Sequence, residues 1–347
     1  MKIYQVGGAV RDLFLNRTSN DIDYLVVGAT SKEFLNKFCD ASLVGKDFPV
    51  YLAKNENGIK CEYAFARKER KNGNGHKGFI CEFDSSITLE NDLSRRDLTI
   101  NAIALSENGD IIDPYNGMLD LENKVLRHTS DVFSEDSLRV YRLARFYSQL
   151  DGFKVHNSTL KVLSGMNNQL ADLPAERVWK EFEKALKSSF PEKFIKLLKI
   201  TNCLNVHFEE FSGKELKTNQ VDPILQFCEL IKDFTYKEFH SFCNRLKIPN
   251  VYVKSGLATI THLKRAKDLM NLFNNQIITI LLSSDNFVGG SDNFFKLVEN
   301  SNKDYYFKIK DCINVKLPKN KRNLGLESGK WVEKMMLEKL QKLQKDL

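Results

Sequence analysis

The first third of the chain alternates short apolar runs with segments of helical periodicity. Lys2–Val6 and Asp23–Val27 are rich in β-branched and aromatic residues, which favours β-strands, and a helix is predicted to begin after Gly7-Gly8. Three further strands are predicted, at Pro49–Ala53, Tyr63–Arg67 and Ile100–Leu105. The pattern predicts a first domain in which strands and helices share one core.

From Glu135 onward the pattern is helical. In the segment EDSLRVYRLARFYSQL, apolar residues recur at i, i+3, i+4 and i+7, at Val140, Leu143, Ala144 and Tyr147. Further helices are predicted at Pro174–Leu186 and, with Ser328 as N-cap, at Ser328–Leu347. We therefore expect a domain boundary near residue 130 and a helical remainder, in which the polar, aperiodic segment Phe211–Asp222 is the best candidate for a linker.

Composition excludes several classes of protein. A length of 347 residues suggests two or more domains, and 42% hydrophobic with 28% charged residues is typical of a globular protein. The seven cysteines are odd in number and form no CxxC pair, which argues against a disulfide framework or a structural zinc site and favours a reducing cytoplasm. No apolar window is long enough for a membrane span, and a net charge of +7 suits a polyanionic partner without proving one.

The glycine pair after the first strand is a candidate phosphate site. Gly7 and Gly8 leave backbone N–H groups unobstructed at a helix N-terminus, and Arg11 follows one turn later. Taken alone, such a pair is more often a tight strand-to-helix turn than a phosphate site.

Two aspartates at the start of the second strand are candidate metal ligands. Side chains alternate along a strand, so Asp21 and Asp23 are expected on one face and Ile22 on the other. Two carboxylates this close suit Mg²⁺, which prefers oxygen ligands and can activate a hydroxyl while a second ion holds a triphosphate. An isolated DxD sequence also occurs in solvated turns.

These motifs occur together and in a recognisable order. VGGAVRD followed by DIDYLVVG resembles the head-domain signature of class II tRNA nucleotidyltransferases, which belong to the DNA polymerase β superfamily. The next three segments also resemble motifs of that family, at similar spacings: SRRDLTINAIA (Ser94–Ala104), DPYNGMLDL (Asp113–Leu121) and EDSLRVYRLARF (Glu135–Phe146). The resemblance covers about the first 185 residues and fades after Phe211.

The resemblance implies a fold, an activity and partners. It implies an α+β protein with a nucleotidyltransferase head of mixed or antiparallel sheet at 1–130, a helical neck at 131–200 and a helical body and tail at 201–347 that bind tRNA. The implied activity is addition of the 3′-terminal CCA to tRNA from CTP and ATP with Mg²⁺ at Asp21 and Asp23. No protein partner is implied.

The resemblance also assigns residues to the nucleotide, and physical arguments support them. Gly8, Arg11 and Arg96 are expected to hold phosphates, since a guanidinium matches phosphate oxygens. Asp136 and Arg139 are expected to read the base by offering acceptors and donors to its Watson–Crick edge. Arg142 and Arg145 follow at intervals of three residues along the same predicted helical ridge and are assigned to the nucleotide as well. The alternatives are a surface ion pair of Arg96 with Asp92 or Asp97, and a solvated helix face at Asp136 and Arg139.

Two further segments carry hypotheses. The Gly- and Lys-rich segment Arg67–Gly78 is predicted to be a mobile loop, and it resembles the loop that reshapes the pocket between C and A addition. Lys316, Lys319, Lys321 and Arg322 around Pro318 are a candidate contact to the tRNA backbone, although such a run is usually a solvated face. No histidine is followed by aspartate, so the metal-dependent HD domain of some longer relatives is predicted to be missing.

Two other functions stay open at this point. A poly(A) polymerase, or an A-adding or CC-adding relative, would share every head motif. A catalytically silent tRNA-binding protein would keep the basic surface and lose the catalytic residues. This alternative is disfavoured because four of those residues are present: Asp21, Asp23, Arg96 and Asp136.

Overall fold

The computed structural model describes residues 1–19, 21–44, 50–71, 79–83, 85–298, 301–318 and 326–347. These residues form two compact units, Met1–Glu181 with Lys193–Val206, and Phe182–Glu192 with His207–Leu347. The division into head, neck and body with tail is a functional one and stays a prediction. Within the described ranges, no helix is both long enough and apolar enough to cross a membrane.

The first unit is built on a mixed sheet. The described strands are β1 Lys2–Val6, β2 Asp23–Val27, β3 Ser42–Val44, β4 Val50–Lys54, β5 Lys60–Phe65, β6 Arg67–Lys71, β7 Phe79–Phe83, β8 Ala104–Ser106, β9 Ile111–Ile112, β10 Val125–Leu126 and β11 Lys154–Val155. Seven of them form one sheet in the order β3-β4-β5-β2-β1-β8-β9. β2 and β5 run parallel, and the other neighbours in this sheet are antiparallel.

Helices make up most of the chain after the sheet. The described α-helices are α1 Gly8–Phe14, α2 Ser31–Lys37, α3 Leu89–Ser94, α4 Gly117–Glu122, α5 Arg139–Gln149, α6 Asn157–Gly165, α7 Ala175–Leu186, α8 Glu192–Ile200, α9 Pro223–Ile231, α10 Tyr236–Leu246, α11 Asn250–Ala266, α12 Asn274–Ser284, α13 Gly290–Phe294, α14 Ser301–Ile309 and α15 Leu326–Lys345. The predicted α+β fold class, a mixed-sheet head followed by helices, is confirmed.

Alternation along β2 divides its side chains between two cores. Val26 packs with Phe34 of α2 in one buried cluster, whereas Leu25 packs with Leu93 of α3 in another. Ile22 packs against the first cluster, as the predicted alternation requires. Asp23, two residues before Leu25, therefore lies on the face that α3 covers.

The DPYNG motif fixes α4 against the segment that follows α3. Asp113 accepts hydrogen bonds from the backbone N–H of Gly117 at 2.7 Å and of Met118 at 2.8 Å, which caps the helix. A Cβ at Gly117 would lie 2.2 Å from the carbonyl oxygen of Thr99, so only glycine permits this approach. The motif therefore supports the backbone between Asp97 and Asn101, two residues that line a pocket of the first unit.

The predicted strand at Ile100–Leu105 was wrong in its first half. Thr99–Asn101 forms a turn of 3₁₀ helix, and the strand begins only at Ala104. The side-chain amide of Asn101 donates to Asp97 at 2.9 Å, and its backbone N–H donates to the carbonyl of Leu98 at 2.9 Å. These local bonds close a turn in spite of the strand propensity of the β-branched residues around it.

The predicted loop at Arg67–Gly78 was also wrong in part. Arg67–Lys71 is strand β6, which pairs with β7 in an antiparallel two-stranded sheet, so the predicted strand Tyr63–Arg67 is interrupted after Phe65. Backbone pairing overrides the polar composition here. Residues 72–78, which carry the rest of the loop hypothesis, lie outside the described residues.

Two helix starts differ from the prediction. A 3₁₀ helix occupies Asp131–Glu135, and α5 begins only at Arg139, so Asp136 precedes the helix. The last helix is described from Leu326 to Lys345, so Ser328 lies within it rather than at its N-cap. The segment Phe211–Asp222 is largely irregular as predicted, but both of its flanks belong to the second compact unit. Of the candidate basic loop, Lys316 and Pro318 are described, whereas Lys319, Lys321 and Arg322 lie outside the described residues.

Candidate active site

Strand pairing brings the glycine turn next to the aspartate strand. The last residue of β1, Val6, pairs with the first residue of β2, Asp23, so the turn that leads into α1 lies beside the Asp23 carboxylate. Gly7 adopts φ 76°, a conformation that favours glycine. A Cβ on Gly7 would lie 3.1 Å from Nη1 of Arg96 and 3.9 Å from Oδ2 of Asp23. Three sequence motifs therefore meet at this turn.

The second strand has the predicted bounds, and the carboxylate pair lies at its start. Asp23 is the first residue of β2, and Asp21 lies just before the strand rather than on it. Asp23 is exposed as a residue, but surrounding protein atoms partly desolvate its carboxyl group and raise its pKa, an effect that Glu62 and Asp21 reinforce and Arg96 opposes.

Glu62 is an acidic neighbour that the sequence reasoning missed. It is paired in parallel register with Asp23, so both side chains lie on the same face of adjacent strands. No preassembled cluster of three or more metal-ligating side chains occurs in the described parts of the chain. The negative charges of Glu62 and Asp21 near Asp23 nevertheless fit a site whose charge a hard divalent cation would balance, since carboxylate oxygens are the ligands that such ions prefer.

A buried aspartate holds both arginines of the RRD segment. Asp92 of α3 is 0% exposed and accepts hydrogen bonds from Nη2 of Arg95 at 2.8 Å and from Nη2 of Arg96 at 3.1 Å. Burial would raise the pKa of Asp92, but the charges of Arg96 and Arg95 outweigh burial and lower this pKa below its usual value. The Asp92–Arg96 pair weighed from the sequence does form, but it anchors Arg96 to the interior and is not a surface pair.

A second buried aspartate connects two other predicted arginines. Nη2 of Arg142 donates to Oδ2 of Asp97 at 2.6 Å, and Nδ2 of Asn101 donates to Oδ1 of Asp97 at 2.9 Å. Asn101 in turn accepts from Nη1 of Arg11 at 2.9 Å. Burial would raise the pKa of Asp97, but Arg142 lowers it far below its usual value, so the carboxylate stays ionised. The network fixes Arg11 and Arg142 relative to each other.

The three remaining predicted residues are Asp136, which precedes α5, and Arg139 and Arg145, which lie on it. Arg139 donates to the backbone carbonyls of Val132 at 2.8 Å and Arg95 at 2.5 Å, which fixes the orientation of its guanidinium. Arg145 donates from Nε to Glu181 at 2.6 Å, and burial lowers its pKa. Asp136 is partly exposed, and its Oδ1 accepts from the backbone N–H of Leu138 at 3.1 Å. Asp136 therefore belongs to the turn before the predicted ridge and not to the helix.

Eight of the nine predicted site residues line one pocket of about 520 Å³ within the first compact unit, and Asp21 is not among the described residues that line it. From the sheet and the segments beside it, the predicted residues that line the pocket are Gly8, Arg11, Asp23 and Arg96. From the turn before α5 and from α5 itself, they are Asp136, Arg139, Arg142 and Arg145. A volume of this size is in the range of small-molecule sites, and the arginine-rich lining favours an anionic ligand.

Sequence reasoning missed several residues of the same pocket. Arg95, Asp97 and Asn101 lie within the motif Ser94–Ala104, so that motif was the available signal, but their hydrogen-bonding roles required the fold. Arg67 and Arg177 also line the pocket. Arg177 lies in the helix predicted at Pro174–Leu186, where nothing in the sequence distinguished it from a surface arginine.

Gly7→Ala is expected to weaken nucleotide binding. The alanine would be strained by about 1–3 kcal/mol at this φ, and its Cβ would press on the Arg96 guanidinium. Gly28→Ala is the matched control, because Gly28 has a similar φ of 69° but open space around its Cβ. Thermal unfolding and nucleotide Kd should separate the two: both variants lose stability, and only Gly7→Ala loses affinity. Equal nucleotide Kd values for the two variants would contradict the contact with Arg96.

Comparisons with known proteins agree with this architecture. The family described as "Poly A polymerase head domain" matches residues 3–127, and the family described as "Probable RNA and SrmB- binding site of polymerase A" matches residues 152–214. A CCA-adding enzyme of Alteromonas mediterranea is 40% identical over 294 residues, which cover 72% of each chain. A multifunctional CCA protein of Legionella pneumophila strain Paris is 38% identical over 334 residues, or 83% of this chain and 80% of that protein.

Solved structures resemble the chain over nearly its whole length. One, titled "Structure of tRNA-processing enzyme complex 3", has a TM-score of 0.65 at 25% identity and covers 97% of this chain and 96% of that one. Another, "The complex structure of CCA-adding enzyme with CTP", has a TM-score of 0.70 at 21% identity, covers 98% of this chain and 87% of the other, and supports the fold alone.

The sheet, the Asp23 carboxylate at the start of its interior strand β2 and the arginine-lined pocket define a nucleotidyltransferase head. With relatives of this identity and coverage, the chain belongs to the family of CCA-adding enzymes. Nucleotidyltransferases of this kind generally depend on divalent metal ions.

Proposed function

We propose that this protein adds or repairs the 3′-terminal CCA of tRNA, without a nucleic-acid template, from CTP and ATP with release of diphosphate. The observation that supports the proposal is one pocket in which the Asp23 carboxylate, several arginine guanidinium groups and the Asp136–Arg139 turn lie together. A transferase that uses no template strand needs protein groups that read the base beside groups that hold the triphosphate, and this pocket contains both kinds.

Asp21 and Asp23 are proposed to hold Mg²⁺. Such an ion would lower the pKa of the attacking 3′-hydroxyl and would neutralise charge on the phosphates. Burial, and after it the negative charge of Glu62, raises the pKa of Asp23, which increases the competition between protons and metal as the pH falls. The metal should therefore be bound most tightly when the carboxylates of Asp21, Asp23 and Glu62 are all ionised.

Arg11, Arg96 and Arg142 are proposed to hold the triphosphate, with Gly8 leaving the backbone accessible to it. Asp92 and Asp97 keep Arg96 and Arg142 in place before the nucleotide arrives. Because this positioning is already present, little ordering remains to be done on binding. Arg145 is held by Glu181 at the same wall and is proposed to contact the nucleotide as well.

Asp136 and Arg139 are proposed to select the base. The Asp136 carboxylate can accept from a base amino group, and the Arg139 guanidinium, oriented by two backbone carbonyls, can donate to ring and carbonyl acceptors. A poly(A) polymerase is the second candidate, because the head-domain family that matches residues 3–127 is described by that name.

The proposed division of labour along the chain follows the same reasoning. Residues 1–130 form the catalytic head, 131–200 the neck with base recognition, and 201–347 the body and tail that bind tRNA. We also propose a cytoplasmic location, in keeping with free thiols at every cysteine whose side chain is described.

The function is tested by the products. Purified protein is offered tRNA transcripts that end before CCA, with each labelled nucleotide alone and in pairs, and the RNA 3′ ends are sequenced. Addition that stops after CCA supports the proposal, an unbounded A-tail supports the polymerase, and no addition supports a tRNA-binding protein without activity.

Base selection and phosphate binding should respond to different substitutions. Asp136→Ala and Arg139→Ala are expected to raise misincorporation of UTP and GTP by about tenfold, because a bidentate side-chain contact to a base is worth about 1–3 kcal/mol of discrimination. Arg96→Ala should weaken binding of all four nucleotides alike, because Arg96 is proposed to contact only their phosphates. Single-nucleotide incorporation kinetics measure both effects. If the three variants lose activity uniformly and none gains misincorporation, the selecting role is excluded.

A further inference from the structure

Arg177 differs from four other arginines around the pocket in its hydrogen bonding. Arg11, Arg96, Arg142 and Arg145 each form an ion pair or hydrogen bond with a carboxylate. The Nη1 atom of Arg177 is buried and has no hydrogen-bond partner in the described parts of the chain. A buried charged donor without a partner lowers the stability of the folded state, so its presence at the pocket calls for an explanation.

The fold holds Arg177 at the pocket through its own helix. Arg177 and Glu181 are four residues apart on α7 and therefore share one face of the helix. Glu181 is 5% exposed and accepts from Nε of Arg145 on α5 at 2.6 Å, which ties that face to the pocket wall. Arg177 itself lines the pocket with Arg145.

Resting on the function proposed above, we propose that Arg177 binds a phosphate group of the substrates, and that this phosphate completes the hydrogen bonding of its guanidinium. The surroundings favour an oxyanion, since the described lining of the pocket carries eight arginines and three aspartates and therefore an excess of positive charge. Two sources offer the same chemistry, the triphosphate of the incoming nucleotide and the backbone phosphates at the RNA 3′ end. Arg177 is thus a substrate-binding residue of this site.

Arg177→Met tests the proposal because it keeps the apolar stem and removes the charged donor. The variant is expected to raise one Kd by about 10- to 100-fold, as the loss of a charge-assisted hydrogen bond predicts, while its Tm without ligand stays equal to the parent's or rises. Arg177→Lys should recover part of the affinity, since it restores the charge without the planar fork. Lys180→Ala is the matched control, because it removes an exposed positive charge from the same helix.

Kd is measured separately for CTP, inorganic tripolyphosphate and a tRNA transcript that ends before CCA. Weaker binding of CTP and tripolyphosphate with unchanged RNA affinity identifies the triphosphate as the ligand, and the reverse identifies the RNA backbone. The proposal is overturned if every Kd stays within about twofold of the Lys180→Ala value, or if Arg177→Met lowers the Tm and weakens all ligands in parallel. If the parent makes an A-tail instead of CCA, the proposed function fails while the phosphate site is still tested by these binding constants.

Discussion

Asp23→Asn is expected to reduce nucleotide addition by about a thousandfold or more for CTP and ATP alike. The substitution removes the carboxylate that is proposed to bind the metal, at the position where β2 begins, beside the glycine turn and Arg96. A bound ion contributes several kcal/mol of transition-state stabilisation, and about 1.4 kcal/mol corresponds to tenfold in rate. Single-turnover incorporation of each nucleotide measures the effect.

tRNA affinity serves as the internal control for Asp23→Asn. It should change little, because binding of RNA rests mainly on phosphate contacts elsewhere. Asp40→Asn is the matched variant, since Asp40 is an exposed aspartate of the same unit that does not line the pocket. Turnover of Asp23→Asn near that of Asp40→Asn would show that the metal assignment is wrong.

Asp97→Asn is expected to lower the free energy of unfolding by about 3 kcal/mol, because it breaks a buried ion pair. The value is at the low end for such pairs because Arg142 is partly exposed and solvent screens its charge. The amide would present N–H donors where Asp97 now accepts from Arg142 and Asn101. Nucleotide affinity should fall as well, because Arg11 and Arg142 are held through this network. Urea unfolding and nucleotide Kd measure the two effects, with the exposed Asp172→Asn as control.

The stability that Asp97 contributes should depend on pH with a defined sign. Its pKa is lowered in the folded protein, so the contribution is fully present above the unfolded pKa of about 3.9 and declines as the pH falls below that value. The difference in unfolding free energy between parent and Asp97→Asn should therefore be constant near neutral pH and shrink below about pH 4. A difference that grows in acid would exclude an ionised Asp97 as the stabilising group.

Local patterns were sufficient for much of the first unit. β-branched residues and alternation predicted β1 and β2, and the glycine pair predicted the start of α1, because these elements depend on short-range propensity and a period of two. The same reasoning failed at Thr99–Asn101, where side-chain bonds and the close approach of Gly117 impose a turn. It failed again at Arg67–Lys71, where pairing with β7 makes a strand from a charged sequence.

The sequence by itself determined the family, the α+β fold class and most of the residues that line the pocket, because five ordered motifs carry those residues at fixed spacings. Only the tertiary structure decided how they are held. Asp92 and Asp97 appear in the sequence as ordinary charged residues, and their burial, with the resulting low pKa values, exists only once α3 packs on the sheet and α5 is in place. Glu62 and Arg177 became part of the site for the same reason, since strand register and helix packing join residues that are distant in sequence.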